Sequence, residues 1–452
     1  MEPESEYGSN TISLARFRRL LRVNANFRRL WMAQIVSETG DWFYSLAIYS
    51  LLLEFTGRAS SIALALILQV LPNALIGPIA GVVNDRLPRK QVMIASDLAR
   101  FAIVAAMLLV RSPSMVWLLY LLLILESLMW AFFEPARTAV IPNITSQQDL
   151  LLANTVSATT WSVNLVAGAM FGGIVMALLG YQAAFLLNAL SFLASAALIG
   201  RMHFREPHAK VHNALRVRDL VHYSPMLDGL RYVKGDVRLL ATMLAKAGLA
   251  NMGVSWVLFT VMGERNFPLR WPGLAPQRAA VLGMSLMIGA RGLGALMGPL
   301  VSARWASDRQ DRLRLGILCG FLAVGVGYGC LSGAGSLETA CLWVMLAHCG
   351  GSTVWVFGTT LLQINVEDRY RGRVFSAELG LSMLTLAAGA YLTGILLDHG
   401  IAPRAVALGT GFCMLIPATA WAIALRLWNT SSRRSVLAPE QQEPELSTEA
   451  DE

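Results

Sequence analysis

Long apolar runs alternate with short polar ones along most of the chain. Twelve windows are close to the roughly 20 mostly apolar residues that a bilayer-spanning helix needs. They are 30–53, 60–83, 92–110, 115–137, 158–179, 182–200, 238–262, 279–302, 314–331, 337–360, 374–397 and 405–428. Only Gly180 and Tyr181 separate the fifth from the sixth. Lipid offers the backbone no hydrogen-bond partners, so each run is expected to satisfy its own as a helix. The runs are also too long for the strands of a membrane barrel. The pattern predicts an all-α polytopic membrane protein with twelve transmembrane helices.

Composition agrees. Of 452 residues, 55% are hydrophobic and 15% charged, with a mean hydropathy of +0.53; soluble chains carry about a quarter charged residues. The first 29 residues are polar and basic, without the apolar stretch of a cleavable signal peptide. Between Thr11 and Trp31, Phe17, Leu20, Leu21, Asn24, Phe27 and Trp31 share one helical face with arginines interleaved, which predicts an interfacial helix. The tail after Arg434, rich in Glu, Pro and Gln, is expected to be disordered. The five cysteines are odd in number and form no CxxC, so buried small side chains are expected rather than a metal site or disulfides.

A net charge of +8 invites a nucleic-acid reading, but the placement of the basic residues opposes it. Of the 37 Lys and Arg, Arg58, Arg111, Arg265, Arg270, Arg278 and Arg404 fall on one set of loops and four inside the spans; the other 27 fall on the terminus-bearing side. Short cytoplasmic loops retain Lys and Arg. Both termini are therefore expected inside, in a cytoplasmic (inner) membrane, with membrane lipids as surroundings and no nucleic-acid partner.

The chain also repeats itself. In "GPIAGVVNDRLPRK" and "GPLVSARWASDRQDR", Gly77-Pro78 matches Gly298-Pro299 at an offset of 221, and Asp85-Arg86 matches Asp308-Arg309 at 223. Phe133 and Phe357 correspond at 224. Two parallel six-helix repeats are a recurrent transporter plan, with the substrate path between them. The expected layout is an N-terminal arm (1–29), a first bundle (30–200), a cytoplasmic linker (201–237), a second bundle (238–428) and a tail (429–452).

With these motifs in hand the chain resembles the major facilitator superfamily (MFS), and within it the branch of macrolide-efflux and enterobactin-exporter proteins. The family's signature G-x-x-x-D-R-x-G-R-R/K is matched by Gly81, Asp85, Arg86, Arg89 and Lys90, with Pro88 in place of the second glycine. "DLAR" (97–100), "FFEPARTAVIP" (132–142) and "RGRVF" (371–375) resemble stretches of the same branch. In helix 5, Gly168, Gly172 and Gly173 match the family's antiporter motif, with Ala169 replacing proline; small residues there would also simply let helices approach. Under this resemblance Asp85 is expected to dock on the N-terminus of helix 11, near Arg373, as a cytoplasmic gate.

Ionisable residues inside spans cost about 2.5–3.5 kcal/mol each on insertion scales and are functional candidates. Glu38 and Asp41 are three apart and share a face. Two close carboxylates repel when ionised, which favours a shared proton, as proton coupling requires. Glu126 and Arg291 are expected near mid-depth in opposite halves, meeting across the cavity or binding a substrate group. Lys246, His348 and Glu378 are further cavity candidates, and Trp42, Trp130, Trp161 and Trp355 are candidate cavity aromatics. Asp97 with Arg100, and Glu134 with Arg137, are spaced for structural intrahelical pairs.

No G-x-x-x-x-G-K-[ST] is present, so ATP-driven transport by this chain alone is disfavoured. No Ser–His–Asp, metal-ligand or phosphate-cradle spacing stands out, so neither an enzyme nor a cofactor or metal is expected. The reading is a monomeric secondary exporter of a small amphipathic molecule, drug- or siderophore-like, by proton antiport. Alternatives are an importer or lysophospholipid flippase on the same fold, or a non-transporting scaffold or receptor.

Overall fold

A computed structural model describes residues 14–206, 224–250, 253–269, 272–273, 275–306 and 309–437. The described residues are almost wholly helical, without strands. In the first half, α1 (Leu14–Val23) leads into α2 (Ala25–Thr56), α3 (Ala59–Arg86), α4 (Arg89–Ala106), α5 (Val116–Ile144), α6 (Gln147–Leu179) and α7 (Tyr181–Gly200). After α8 (Ser224–Lys234), the second half comprises α9 (Val237–Ala250), α10 (Val254–Val261), α11 (Pro276–Ala306), α12 (Gln310–Ser332), α13 (Leu337–Asn365), α14 (Asp368–Asp398), α15 (Pro403–Cys413) and α16 (Leu415–Leu437). Every predicted span falls largely on one of these helices or on a consecutive pair of them.

Among the described residues, ten stretches are long and apolar enough to cross a membrane. Two predicted spans are not among them. Glu38, Asp41 and their polar neighbours lower the hydropathy of α2; in α3 the side chains described without interruption, Ala59–Asn73, form an apolar stretch that ends at the first position outside them. The seventh predicted span covers α9 and α10, with residues 251–252 outside the described ones, and continues into a π turn, Met262–Asn266; the twelfth breaks at Met414.

Local chemistry sets the boundaries. The predicted interfacial helix does not run through to Trp31. Asn24 ends it by capping α2, its Oδ1 accepting from the Phe27 amide at 2.9 Å while its Nδ2 donates to the Ile144 carbonyl at 2.6 Å. Phe27 and Trp31 therefore belong to the first long helix. Gly57 (φ 67°) closes α2 in the left-handed region, and Gly180 (φ 82°) makes the tight corner between α6 and α7, where a Cβ would be strained. Helix α16 runs on to Leu437, past the predicted end of its span. The five cysteines are free thiols; Cys319 and Cys413 are exposed rather than buried.

The second, third and fourth spans pair alike in both halves. In the first, α3 packs on α5, α4 on α5 and α4 on α7; in the second, α11 packs on α13, α12 on α13 and α12 on α15. The halves meet where α3 lies along α14 and α6 along α11. At the end bearing the termini, Arg29 donates to the Arg201 carbonyl (2.5 Å) and Lys90 Nζ to those of Gly200 (2.9 Å) and Met202 (2.7 Å). At the opposite end the two Asp398 oxygens accept from the amides of Ala59 (2.7 Å) and Ser60 (3.1 Å), and Arg265 donates to the Gly57 carbonyl (3.1 Å).

Candidate functional site

Along α2 the positions Gln34, Ser37, Glu38, Asp41, Trp42, Ser45 and Tyr49 recur at intervals of one to four and line one side of a central cavity of about 480 Å³. Its other walls come from Gln69 on α3, Arg100 on α4, Trp130, Phe133, Glu134 and Arg137 on α5, Trp161 on α6 and, from the second half, Trp256 on α10. The cavity spans from Tyr49 and Trp256, which pack edge to face with centroids 6.2 Å apart, to Gln34 and Arg137 nearer the terminus-bearing end.

At its centre sits Arg100, only 2% exposed. Its Nε donates to Glu126 Oε1 at 2.8 Å and its Nη2 to both oxygens of Asp41 at 3.1 Å. Asp97, one helical turn away, is more distant at 3.8 Å. The guanidinium also lies over the Phe192 ring, 3.9 Å from its centroid. Arg100 thus ties α2, α4 and α5 together. The expected intrahelical pair with Asp97 is its weakest contact, because Asp41 and Glu126 reach the in-plane N–H groups. Three carboxylates around one guanidinium leave the cluster short of positive charge, and a buried uncompensated charge is costly. A proton on one carboxylate would relieve that cost.

Glu38, one turn from Asp41, has different partners. Gln34 Nε2 donates to it at 2.8 Å and Asn164 Nδ2 at 2.9 Å, both neutral amides. Arg137 pairs with Glu134, as the spacing predicted, and donates to Gln34 Oε1 at 3.0 Å. Glu38 and Asp41 therefore face one cavity but sit in separate networks.

The second half buries another ion pair. Lys246 Nζ lies 3.0 Å from Glu378 Oε1, donates to Thr359 Oγ1 at 2.8 Å and sits 4.3 Å from the centre of the Trp355 ring. Ser382 donates to the same Glu378 oxygen at 3.0 Å. The two residues singled out separately in the sequence are partners. Glu126 and Arg291 are not: Glu126 is taken by Arg100, while Arg291 stacks on Trp256 with Cζ 3.8 Å from the ring centroid. His348 is buried against Phe259 and Tyr328.

Of the predicted gate, Arg89 donates to the carbonyls of Asn84 (3.2 Å) and Ala139 (3.0 Å), and the Lys90 amide donates to Glu206 (3.2 Å). These two basic residues bind helix-end carbonyls, where cations are favoured. Arg373 is exposed, with its guanidinium 5.7 Å from the Tyr370 ring centre. The side chains of Asp85 and Arg371, the packing around Gly81 and Gly372, and the whole of Asp308 lie outside the described residues. In α6, a Cβ on Gly168 would run into Trp42, on Gly172 into Phe43 and Leu46, and on Gly173 into Ser285 of α11. The three glycines let α6 approach α2 and α11 closely.

Sequence reasoning missed the central role of Arg100 and the parts played by Gln34, Asn164, Gln69, Trp256 and Asp398. Gln34 and Glu38 were detectable as a pair four apart on one helix. The partners contributed by distant spans leave no local pattern.

Comparison with known proteins places this geometry. A family model described as "Major Facilitator Superfamily" matches residues 30–377. The chain is 26% identical over 389 residues to YfiS of Bacillus subtilis (strain 168), an uncharacterized MFS-type transporter, covering 82% of this chain and 88% of that protein. It is 23% identical over 383 residues to macrolide efflux protein A of Streptococcus pyogenes, covering 82% and 89%. Among solved structures, the D323A mutant of the nucleoside transporter NupG superposes with a TM-score of 0.67 at 14% identity, covering 87% of this chain and 99% of that one. A bacterial homologue of the lysosomal transporter Spinster gives 0.65 at 14%, covering 88% and 96%. With the family model spanning most of the chain and helices paired alike in both halves, this protein belongs to the major facilitator superfamily of membrane transporters, and it is not an enzyme.

Proposed function

We propose that the protein is a secondary active exporter of a small amphipathic molecule, coupled to proton entry through alternating access of the central cavity. The observation that carries the reading is the cluster Asp41–Arg100–Glu126 with Asp97 behind it. One buried cation is shared by carboxylates from three helices, and two of its members line the cavity. Protonating Asp41 frees Arg100 to turn wholly to Glu126, which loosens α2 from α4. Proton occupancy and the arrangement of cavity-lining helices are then linked, and a ligand that prefers one arrangement shifts the other. Likeness to an efflux protein supports the outward direction.

The reading places the protein in the cytoplasmic membrane with both termini inside. It also assigns the 81–90 motif and Arg373 to a gate on that side. The test uses cells lacking their own efflux pumps, loaded with a macrolide, ethidium or a catecholate siderophore. Expression should lower accumulation of at least one probe, and a protonophore should restore it. Asp41→Asn and Glu126→Gln should insert normally and fail to lower accumulation. Protonophore-insensitive export, or full export by both variants, overturns the coupling.

A further inference from the structure

A groove of about 480 Å³ runs between α2 and α6 and shares no described lining residue with the central cavity. Phe17 of α1, Trp31 and Ile35 of α2, and Leu152, Val156 and Val163 of α6 give it apolar walls. With Thr159, the α6 positions recur at intervals of three and four, so they form one stripe along the helix. Val163 is 48% exposed and Thr159 is exposed as well, so the groove opens onto the outer surface of the helices, which lipid covers in a membrane-spanning chain. From Leu152 to Val163 the helix rises about 17 Å, close to half of the roughly 30 Å hydrocarbon core. The groove is one leaflet deep.

Its mouth lies at the terminus-bearing end, under α1. Phe17 meets Trp31 edge to face with centroids 5.7 Å apart, and Trp31 Nε1 donates to Thr160 Oγ1 at 2.8 Å, which fixes both rings in the wall. Arg16 pairs with Asp149 at 3.7 Å, one turn before Leu152, and so holds α1 across the mouth. Four of the ten residues of α1 are arginine. Arg18, Arg19 and Arg22 are exposed, and none has a carboxylate at ion-pairing distance among the described residues. An apolar slot with cations at its shallow end is complementary to an anionic amphipath, chain inward and headgroup at α1. The membrane itself supplies molecules of that form.

We propose that the groove seats one acyl chain of an anionic phospholipid from the leaflet on the terminus-bearing side, with its phosphate held by the arginines of α1. Lipid so placed braces α1 against α6, the helix that lies along α11 of the second half. The site is a resident-lipid site, separate from the cargo cavity, and it stands whether or not the chain exports by proton antiport.

The test reconstitutes the full chain in phosphatidylcholine vesicles containing a minor share of phosphatidylglycerol, with bromine on the acyl chains of one lipid or the other. Bromine quenches an indole only at close range, so tryptophan emission reports which lipid occupies the groove. Brominated phosphatidylglycerol should quench more per molecule, with about fivefold stronger association for each arginine that reaches the phosphate. This comparison needs no variant. The excess should vanish in Trp31→Phe, which removes the reporting ring, and in Thr159→Phe, which fills the exposed wall and leaves the arginines in place. Arg18→Gln combined with Arg22→Gln should cut the preference about fivefold or more, while quenching by brominated phosphatidylcholine persists. Equal quenching by the two lipids, an excess untouched by Trp31→Phe or Thr159→Phe, or a preference undiminished in the arginine variant overturns the proposal. An excess that emerges only on deletion of residues 438–452, which carry six acidic side chains and no basic one, overturns it too, by giving the arginines to that segment.

Discussion

The first half buries Arg100 among Asp41, Asp97 and Glu126, with Glu38 held separately by two amides. The second half buries Lys246 against the single carboxylate of Glu378, and leaves Arg291 and His348 without an acidic partner among the described residues. Yet α3, α4 and α5 pair as α11, α12 and α13 do. A common scaffold thus carries interiors of different electrostatic balance: the first is short of positive charge, whereas in the second the carboxylates of Glu378 and Glu264 are matched in number by the cations Lys246 and Arg291. Helix pairing depends on close approach at small residues and on apolar packing, which are indifferent to the sign of a few polar positions. Charged positions are therefore free to differ between two halves whose helices pair alike.

The largest expected effect comes from removing the two central cations. Arg100→Ala leaves Asp41 and Glu126 facing each other without a counter-ion, and breaking a buried pair costs about 3–5 kcal/mol. Lys246→Ala strands one carboxylate, which keeps its bond from Ser382. Arg100→Ala should lower the thermal midpoint in detergent further than Lys246→Ala, and it should abolish transport. The reverse order would show that the halves differ less in charge balance than their contacts indicate. Glu126→Gln and Glu378→Gln sharpen the same contrast. The first should reduce gradient-driven transport by about tenfold or more, the cost of one charge-assisted hydrogen bond, while sparing counterflow exchange. The second should spare both measurements.

Much of this scaffold is legible in the sequence because each span states its own hydropathy. The runs 92–110, 115–137 and 182–200 lie on α4, on α5 with its preceding turn, and on α7. Span ends are less legible: α6 begins at Gln147, eleven residues before the apolar window, because Ser146 caps it and the polar first turns need no lipid. The polar interior is least legible. Composition identifies Arg100, Glu126, Lys246, Glu378 and Arg291 as out of place in lipid, but pairing depends on which helix faces which. Pairing by depth alone put Glu126 with Arg291, whereas the fold sets α4 against α5 and so gives Glu126 to Arg100. Asp398 carried no signal at all, since a carboxylate at a span end reads as ordinary solvent exposure.

A smaller effect separates contacts within a half from contacts between halves. Gly172 faces Phe43 and Leu46 of its own half, while Gly173 faces Ser285 of the other. A leucine at either position overpacks a tight contact, at about 1–3 kcal/mol. Gly172→Leu should therefore lower the thermal midpoint of the chain. Gly173→Leu should leave the midpoint nearer wild type and slow transport, since under the proposed alternating access α6 and α11 close on each other in each cycle. Equal loss of stability in the two variants would mean that the halves behave as one rigid core.

The smallest effect tests whether the difference between the halves extends to their seam. There the second half supplies the negative group: Asp398, ending α14, accepts from the first two amides of α3 at 2.7 and 3.1 Å. A carboxylate on a helix N-terminus is the device expected of Asp85 at the terminus-bearing end; Asp398 supplies one at the opposite end of the same helix pair. A carboxylate so placed contributes about 0.3–1 kcal/mol, and asparagine keeps one acceptor oxygen. Asp398→Asn should therefore shift the seam toward opening by no more than about fivefold. A single cysteine at Ser60, in a chain whose own five cysteines are replaced by serine, reports the shift as faster labelling by a membrane-impermeant maleimide. Unchanged labelling would leave the seam to the apolar contact of Gly394 with Ala63, and the charge asymmetry would then be confined to the two interiors.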